Sequence, residues 1–245
     1  MVKVLAIGNS FSVDAMRYMY DIARADGERV KLFNAVIGGC PLSKHFRMMR
    51  GDVPEYAFDF NGEGTNMRVS LKEMLSADQW DYVTLQQVSH EAPRYETYEP
   101  YLTELAAYVR SFQPKTKLLI HQTWAYEQGS ARLTKELGYT DQADMFRDVK
   151  ASYEKAAAAV DAYGIIPDGE LMQRLIQNGF SPVHRDTFHA GFGIPRYAMS
   201  ALWYELLVGK TVVGNTFRAL DVPSDGVDFD LVQRIVHELA EESRF

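Results

Sequence analysis

Strand-like and helix-like segments alternate along almost the whole chain. Short apolar runs are closed by Gly or Pro, and longer segments between them carry apolar residues at helical spacing. Such runs, without polar alternation, are typical of strands buried on both faces of a parallel sheet. The alternation therefore predicts an α/β fold with a parallel sheet of about five strands and helices on both faces. The predicted strands are residues 4–7, 31–37, 82–87, 117–121 and 164–167.

The segments between these strands complete the outline of a single domain. No repeat, low-complexity segment or Pro/Ser-rich linker interrupts residues 1–245, so the chain is predicted to form one domain. Residues 50–65 and 126–141 are predicted to be long surface loops, and either would suit an insertion that covers substrate. The predicted helices are residues 14–24, 67–75, 102–112, 143–163, 195–207 and 229–241.

Charge and cysteine content exclude some classes of function. The formal net charge is −7 and no Lys/Arg cluster overrides it, which argues against nucleic acid as a partner because phosphate binding requires a basic face. Cys40 is the only cysteine, so no disulfide can form within the chain, as fits a reducing compartment. No membrane span is visible, and residues 1–7 are too short for the apolar core of a signal peptide. We expect a cytoplasmic protein from the sequence as given, or a secreted or periplasmic one if a signal peptide has been removed.

Two short motifs near opposite ends of the chain carry the chemistry. Gly8-Asn9-Ser10-Phe11-Ser12 follows the first predicted strand, and Asp186-Thr187-Phe188-His189 precedes a long apolar helix. In Ser-His-Asp hydrolases the imidazole takes the proton of the serine hydroxyl, and the carboxylate orients the imidazole. Ligands of parallel α/β sheets bind beyond the carboxyl ends of the strands, which is where Ser10 is expected. The two motifs therefore predict a catalytic triad of Ser10, His189 and Asp186.

Each motif also has an interpretation in which its residues have no catalytic role. Ser10 or Ser12 could cap the helix that follows the first strand, and Ser12 is the weaker candidate nucleophile. Asp186 and His189 could be an exposed loop pair, although a separation of three residues lets the carboxylate reach the imidazole. The occurrence of both motifs in this order favours catalysis.

Residues that follow the other strands add candidate binding groups. Gly39, preferred over the glycine before it, offers a backbone N–H as an oxyanion donor, although the two glycines could simply form a tight turn. Gln86-Gln87 end the third strand, and one of the two is expected to point inward. Trp124 and Tyr126 follow the fourth strand and are predicted to bind substrate, with plain packing as the alternative.

Metal and cofactor sites are not predicted. His184 extends the second motif to a spacing that resembles a metal site, but no second group of Asp, Glu, His or Cys elsewhere in the sequence supplies further ligands. His184 is therefore interpreted as a loop residue or a contact behind the triad, and Cys40 as a small buried apolar residue. The segment after the first strand also lacks the glycines of a Gly-x-Gly-x-x-Gly loop that would cradle a phosphate.

Taken together, the motifs resemble those of the SGNH/GDSL hydrolase superfamily, and more closely its bacterial branch with Gly-Asn-Ser-Phe-Ser in place of Gly-Asp-Ser-Leu. The first block matches residues 8–12, the second matches Gly38-Gly39, and the last, Asp-x-x-His, matches residues 186–189. The resemblance spans essentially the whole chain. It implies a three-layer, flavodoxin-like sheet and makes Ser10 the nucleophile.

The third block of the superfamily departs from its usual form in this chain. The superfamily usually has Gly-x-Asn-Asp after the third strand, whereas residues 85–90 read Leu-Gln-Gln-Val-Ser-His and contain no Asn. By spacing, His90 stands where the Asn belongs, and by chemistry Gln87 is the better amide donor. The predicted oxyanion hole therefore consists of the backbone N–H groups of Ser10 and Gly39, with Gln87 or His90 as the third donor.

The predicted function is that of a serine esterase. The resemblance implies an esterase, a lipase or a carbohydrate acetylesterase. Analogy with bacterial relatives, and the lack of an obvious apolar lid helix, favour a substrate with a short acyl group, such as acetyl, on a sugar or other polar alcohol. The expected partner is a small-molecule or carbohydrate ester, with no nucleic acid, membrane or cofactor, and the oligomeric state is left open. One alternative is a catalytically inactive relative that binds a glycan, which the missing Asn favours. The other, a flavodoxin-like nucleotide binder, lacks its glycine pattern.

Overall fold

A sheet of seven strands forms the centre of the computed structural model, which describes residues 1–245. The strands are β1 (Val2–Gly8), β2 (Val30–Val36), β3 (Tyr56–Phe60), β4 (Glu63–Val69), β5 (Tyr82–Leu85), β6 (Lys117–Gln122) and β7 (Gly164–Pro167). They lie in the order β4-β3-β2-β1-β5-β6-β7. Strands β2, β1, β5, β6 and β7 pair in parallel, and β3 and β4 are antiparallel to their neighbours. The predicted α/β fold is confirmed, with the five predicted strands in parallel and two more at one edge.

Helices cover both faces of this sheet, because the side chains of its central strand alternate between two apolar cores. Val4 and Ala6 belong to one core, and Leu5 and Ile7 belong to the other. The first core packs against α1 (Ser10–Met16), α2 (Met19–Ala25), α7 (Asp168–Gln177), α8 (Ile194–Val208) and α9 (Phe229–Glu242), and the second packs against α3 (Leu42–Gly51), α4 (Leu71–Ser76), α5 (Tyr101–Phe112) and α6 (Gln142–Ala159). None of these helices combines the length and apolarity that crossing a bilayer requires.

The predicted loop at residues 50–65 contributes most of a β-hairpin, β3–β4, that extends the sheet. The hairpin turns at Asn61 and Gly62, both with positive φ (51° and 86°), which is the turn that the pair Asn-Gly favours. Most side chains of β4 are exposed, so the strand lacks the apolar alternation by which strands are recognised. The helix predicted at 67–75 consequently begins only at Leu71.

The helix predicted at 14–24 also differs from the structure, which has two short helices there. Helix α1 ends at Met16 and α2 begins at Met19. Between them, the Tyr18 backbone N–H donates to the Ser200 hydroxyl on α8 (3.0 Å). Helix α1 is therefore short, and Ser10 is its first residue. Helices α3 and α7 were not predicted, and the predicted loop at 126–141 contains a π-helical turn, Arg132–Glu136.

Candidate active site

The predicted site residues converge at the carboxyl edge of the parallel strands. Ser10 comes two residues after β1, and Gly39 comes three residues after β2. Since Gly8 of β1 pairs with Val36 of β2, the turns that carry Ser10 and Gly39 are neighbours. The loop between α7 and α8 brings His189 to the same edge. The topology thus places these three segments where ligands of such sheets bind.

In the turn after β1, Asn9 and not Ser10 caps helix α1. Asn9 is the N-cap of α1, and its side-chain oxygen accepts from the Phe11 backbone N–H (3.0 Å). The Ser12 hydroxyl contacts the Asn9 carbonyl (2.8 Å) and is fully buried. Gly8 is required before this turn because a Cβ there would lie 2.6 Å from the Ser12 hydroxyl. The Ser10 hydroxyl is therefore left to face the loop between α7 and α8.

Ser10, His189 and Asp186 form one continuous hydrogen-bonded chain. Ser10 Oγ lies 2.8 Å from His189 Nε2, and His189 Nδ1 lies 2.7 Å from Asp186 Oδ2. The other carboxylate oxygen, Asp186 Oδ1, accepts from the His189 backbone N–H (2.9 Å). A carboxylate beside Nδ1 requires the proton on that nitrogen, which leaves Nε2 bare to accept the Ser10 proton.

The environment of Asp186 favours the charged carboxylate. Partial burial alone would raise its pKa, but hydrogen bonds from the His189 ring and backbone N–H outweigh burial and hold the pKa of Asp186 below its usual value. The pKa of Asp186 is therefore lower in the folded state than in the unfolded state, where the pKa of an Asp is about 4. The ionised carboxylate stabilises the fold above this unfolded-state pKa. The stabilisation is lost as the pH falls through the folded-state pKa.

The loop that carries Asp186 and His189 is held by the segment after β6. The Glu127 backbone N–H donates to the Thr187 carbonyl (2.8 Å), and the His184 ring donates to the Ala125 carbonyl (3.0 Å). Thr187, between the two triad members, has φ of 77°, a conformation that a β-branched residue rarely adopts. Strained backbone of this kind persists where the surroundings impose it, and it often marks functional sites.

The predicted substrate-binding role of Trp124 and Tyr126 requires correction. Both side chains are buried, with 0% and 1% exposure, so neither presents a surface to a substrate. Trp124 stacks on Phe11 at 4.1 Å and donates its indole N–H to the Phe188 carbonyl (2.8 Å). The Tyr126 ring packs edge-on against Phe188 at 5.7 Å. The two aromatic side chains instead form an apolar layer behind the triad. This agrees with the alternative expectation that they serve only in packing.

A buried carboxylate that sequence analysis did not identify joins the two halves of the triad. Asp14, on the helix that begins with Ser10, is fully buried. Its oxygens contact Arg185 Nη1 (2.9 Å) and Arg196 Nε (2.8 Å), and one accepts from the Ala190 backbone N–H (3.2 Å). Arg185 and Ala190 flank the triad loop. The only signal in the sequence was a charged residue among the apolar positions of α1, next to Ala15.

Replacing Asp14 by Asn is expected to destabilise the fold by about 3–5 kcal/mol, because Arg185 and Arg196 lose their buried partner. Thermal unfolding should show the loss as a fall in Tm of roughly 10 °C. Asp78→Asn is the matched control, since Asp78 also pairs with two cations, Lys3 and Lys31, but in a more exposed setting. Its expected cost is about 0–1 kcal/mol. Equal costs for the two variants would contradict the role assigned to Asp14.

Several backbone N–H groups at this edge are unpaired, among them those of Ser10 and Gly39. Neither the Ser10 nor the Gly39 N–H makes a hydrogen bond within the protein. Gly38-Gly39 are the central residues of a turn closed by a bond from the Cys40 N–H to the Ile37 carbonyl (3.2 Å), and Gly39 has φ of 59°. A positive φ at this third turn position selects glycine. Both N–H groups are available to bind an anion.

Gln87 and His90 are the side chains considered for a third oxyanion donor. Gln87 is fully buried, its oxygen accepts from the Leu42 N–H (2.9 Å), and its nitrogen donates to Thr97 (3.1 Å to the hydroxyl). This carboxamide has no free N–H to turn toward Ser10, which corrects the prediction for Gln87. His90 is exposed, and its ring makes no hydrogen bond within the protein.

The triad is partly exposed to solvent. The His189 side chain is 16% exposed and that of Asp186 is 45% exposed. The principal cavities, with volumes of about 280–460 Å³, are lined by neither Ser10 nor His189. The structure contains no group of three or more His, Cys, Asp or Glu side chains that is arranged to hold a metal ion.

Comparison with known proteins relates the chain to a family and to a fold. The family model described as a domain of unknown function, DUF4886, matches residues 3–233. A solved DUF4886 family protein from Bacteroides uniformis ATCC 8492 is 32% identical and superposes with a TM-score of 0.88, over 100% of this chain and 97% of that chain. A comparison with curated protein sequences finds no match.

Two more distant solved structures share the fold. A proposed SGNH hydrolase from Slackia heliotrinireducens is 21% identical, with a TM-score of 0.59 over 85% of this chain and 99% of that chain. A proposed GDSL-like lipase from Parabacteroides merdae ATCC 43184 is 14% identical, with a TM-score of 0.56 over 85% of this chain and 96% of that chain. The SGNH/GDSL hydrolase fold expected from the motifs is confirmed.

Proposed function

Since the chain belongs to the DUF4886 family and has the fold of SGNH/GDSL hydrolases, we propose that it is a serine esterase. The observation that carries this proposal is the hydrogen-bonded chain from Ser10 Oγ through His189 to Asp186, with donor–acceptor distances of 2.8 and 2.7 Å. A serine bonded to the bare nitrogen of an imidazole, whose other nitrogen faces a carboxylate, is the arrangement that activates a hydroxyl for attack on a carbonyl.

The proposed reaction is a two-step acyl transfer. His189 Nε2 takes the Ser10 proton while Ser10 Oγ attacks the ester carbonyl, and the carbonyl π electrons move to the oxygen. When the tetrahedral intermediate collapses, His189 gives the proton to the leaving alcohol and an acyl-Ser10 ester remains. Water, deprotonated by His189, then attacks this ester, and the acid leaves as Ser10 recovers its proton.

The unpaired backbone donors supply the electrostatic part of the proposal. The N–H groups of Ser10 and Gly39 are free and lie on neighbouring turns, and we assign them to the oxyanion of the tetrahedral intermediate. His189 becomes an imidazolium during attack, and the adjacent Asp186 carboxylate stabilises that charge. No step requires a metal or a cofactor.

The partial exposure of the triad, with no principal cavity beside it, favours a short acyl group on a polar alcohol as substrate. A long acyl chain gains binding energy from an apolar channel, and no principal cavity adjoins Ser10 or His189. An acetyl group needs no such channel. A sugar or other polar alcohol would remain largely in solvent beside the exposed Asp186 edge.

The test is hydrolysis of p-nitrophenyl acetate, butyrate and octanoate by the wild-type protein. We expect kcat/KM to be highest for acetate and roughly tenfold or more lower for octanoate, because additional methylenes find no apolar contact. A maximum at octanoate would overturn the preference for short acyl groups. Absence of hydrolysis with all three esters and with acetylated glycans would overturn the esterase proposal, and glycan binding without turnover would then be the supported alternative.

A further inference from the structure

A line of buried polar side chains runs beneath the turn that carries Ser10. Gln86 Nε2 donates to Asn9 Oδ1 (2.9 Å), and Gln86 Oε1 lies 2.8 Å from His121 Nδ1. His121 Nε2 lies in turn 2.8 Å from Asp168 Oδ2. These four side chains are between 0% and 3% exposed. Burying so many polar groups is costly unless they are paired, and the acyl-transfer steps use none of them.

The backbone fixes the direction of every hydrogen bond at the Ser10 end of this line. The Phe11 N–H can only donate, so the Asn9 atom that it meets must be the side-chain oxygen. That oxygen requires a donor from Gln86, which places the Gln86 oxygen toward His121. His121 Nδ1 must therefore carry a proton. Each carboxamide has one allowed orientation, which follows from the chemistry of the neighbouring group.

Trp203 packs against the far end of the line. The Trp203 indole N–H donates to Asp168 Oδ2 (2.9 Å), and the Trp203 ring packs edge-on against His121 at 5.1 Å. His121 Nε2 faces Asp168 Oδ2 at 2.8 Å, and the other carboxylate oxygen, Asp168 Oδ1, has no hydrogen-bond partner. Burial raises the pKa of Asp168, in spite of the opposing contact with His121. A single proton shared by the two side chains would leave the pair without net charge in this dry interior, where an isolated charge is costly.

The orientation imposed on Asn9 connects the two turns that carry the free backbone donors. With its oxygen committed to Phe11 and Gln86, Asn9 points its side-chain nitrogen at the Cys40 carbonyl, 3.4 Å away. Cys40 closes the turn that contains Gly39. Asn9 therefore bridges the turn after β1 and the turn after β2 through its side chain.

We propose that Asp168, His121 and Gln86 are positioning residues that orient Asn9 and thereby hold the Ser10 and Gly39 N–H groups together as one oxyanion hole. This inference rests on the proposed esterase function. It also accounts for the missing Asn in the third sequence block: Gln86, from that block, acts behind the two backbone donors instead of contacting the oxyanion.

The test compares two double variants, His121→Asn and His121→Leu, each combined with Asp168→Asn. The Asp168→Asn substitution is included because replacing His121 alone would leave a buried carboxylate without its partner. An Asn side chain has its nitrogen at the same number of bonds from Cα as His Nδ1, so it can donate to Gln86, whereas Leu cannot. The readouts are kcat and KM for p-nitrophenyl acetate, and the rate of Ser10 phosphonylation by a fluorophosphonate. We expect the Leu variant to be roughly 10- to 100-fold slower than the Asn variant in both rates, with similar KM, since losing an oxyanion donor outright costs about 10²–10³.

A second pair of variants separates positioning from general loss of stability. Gln86→Leu is compared with Gln113→Leu, because Gln113 is also buried and bonded through both ends of its carboxamide, to Trp80 and Leu75, near the opposite edge of the sheet. Both should lower Tm, and only Gln86→Leu should lower kcat.

Equal phosphonylation rates in the two His121 variants, or equal kcat losses in the two Gln variants, would overturn the inference and leave the esterase proposal standing. A wild-type protein that neither hydrolyses esters nor reacts with the fluorophosphonate would instead refute the proposed function, and the inference with it.

Discussion

Replacing Ser10 by Ala is expected to lower kcat for p-nitrophenyl acetate by about 10³- to 10⁶-fold, because the acyl-enzyme can no longer form. What remains should be the slow attack of water assisted by the free N–H groups of Ser10 and Gly39, which the substitution leaves in place. Fold stability should change by less than about 1 kcal/mol, because the Ser10 side chain is half-buried and its hydroxyl hydrogen-bonds only to His189. Kinetics and thermal unfolding of the same preparation measure both effects.

Ser12→Ala is the matched control for this substitution. Ser12 lies two residues further along the same helix, but its hydroxyl is fully buried and faces the Asn9 carbonyl and the Asn34 side chain. Its loss should cost about 1–3 kcal/mol of stability, because Asn34 is left without its partner, and should reduce kcat by less than about tenfold. Full activity of Ser10→Ala, or an equally large loss in Ser12→Ala, would show that Ser10 is not the nucleophile.

The parts of the fold that were predictable from the sequence are those in which burial leaves a local pattern. The five parallel strands are buried on both faces, so each appears as an apolar run, and all five were located. The hairpin β3–β4 is at the edge and mostly exposed, so its only strong signal was Asn61-Gly62 at the turn. Helix α7 begins directly after Pro167, at the end of β7, and was not predicted, because no turn residues separate it from the strand.

The candidate site also contains residues that a short sequence motif identifies and residues that only the three-dimensional structure identifies. Ser10, Asp186 and His189 lie in two short motifs, and fold topology brings the motifs together. Trp124 and Tyr126 show why an aromatic residue after a strand is an ambiguous signal, since packing behind a site and binding substrate in front of it require the same residue types.

The groups that hold the motifs in place were not recognisable from the sequence. Asp14 and its partners Arg185 and Arg196 are separated by more than half of the chain, and nothing local marks their pairing. Gln86 and Gln87 were expected to alternate between inward and outward orientations. Both are buried, at 3% and 0% exposure, because helices cover both faces of the sheet. Gln86 contacts His121, which packs against Trp203 of the first core, and Gln87 contacts Leu42 of the second core, so the two side chains alternate between faces that are both buried.

Replacing Asp186 by Asn is expected to lower kcat by about 10²- to 10⁴-fold, chiefly by reversing the tautomer of His189. In the wild-type protein, the Asp186 carboxylate accepts two hydrogen bonds, one from the His189 ring N–H and one from the His189 backbone N–H. An Asn side chain can accept only one of them, and its oxygen will take the backbone N–H, which cannot change its role. The amide nitrogen then faces Nδ1, so the ring proton must move to Nε2, where it blocks transfer from Ser10.

Asp186→Ala distinguishes loss of charge from reversal of the tautomer. At this exposed position, water can replace the carboxylate in Asp186→Ala, and His189 remains free to adopt either tautomer. If Asp186 acts by fixing the tautomer, the Asn variant should be less active than the Ala variant, although Asn is closer to Asp in shape. Proton NMR of the ring N–H groups would report the tautomer directly in each variant. An Asn variant as active as, or more active than, the Ala variant would show that the carboxylate contributes through its charge alone.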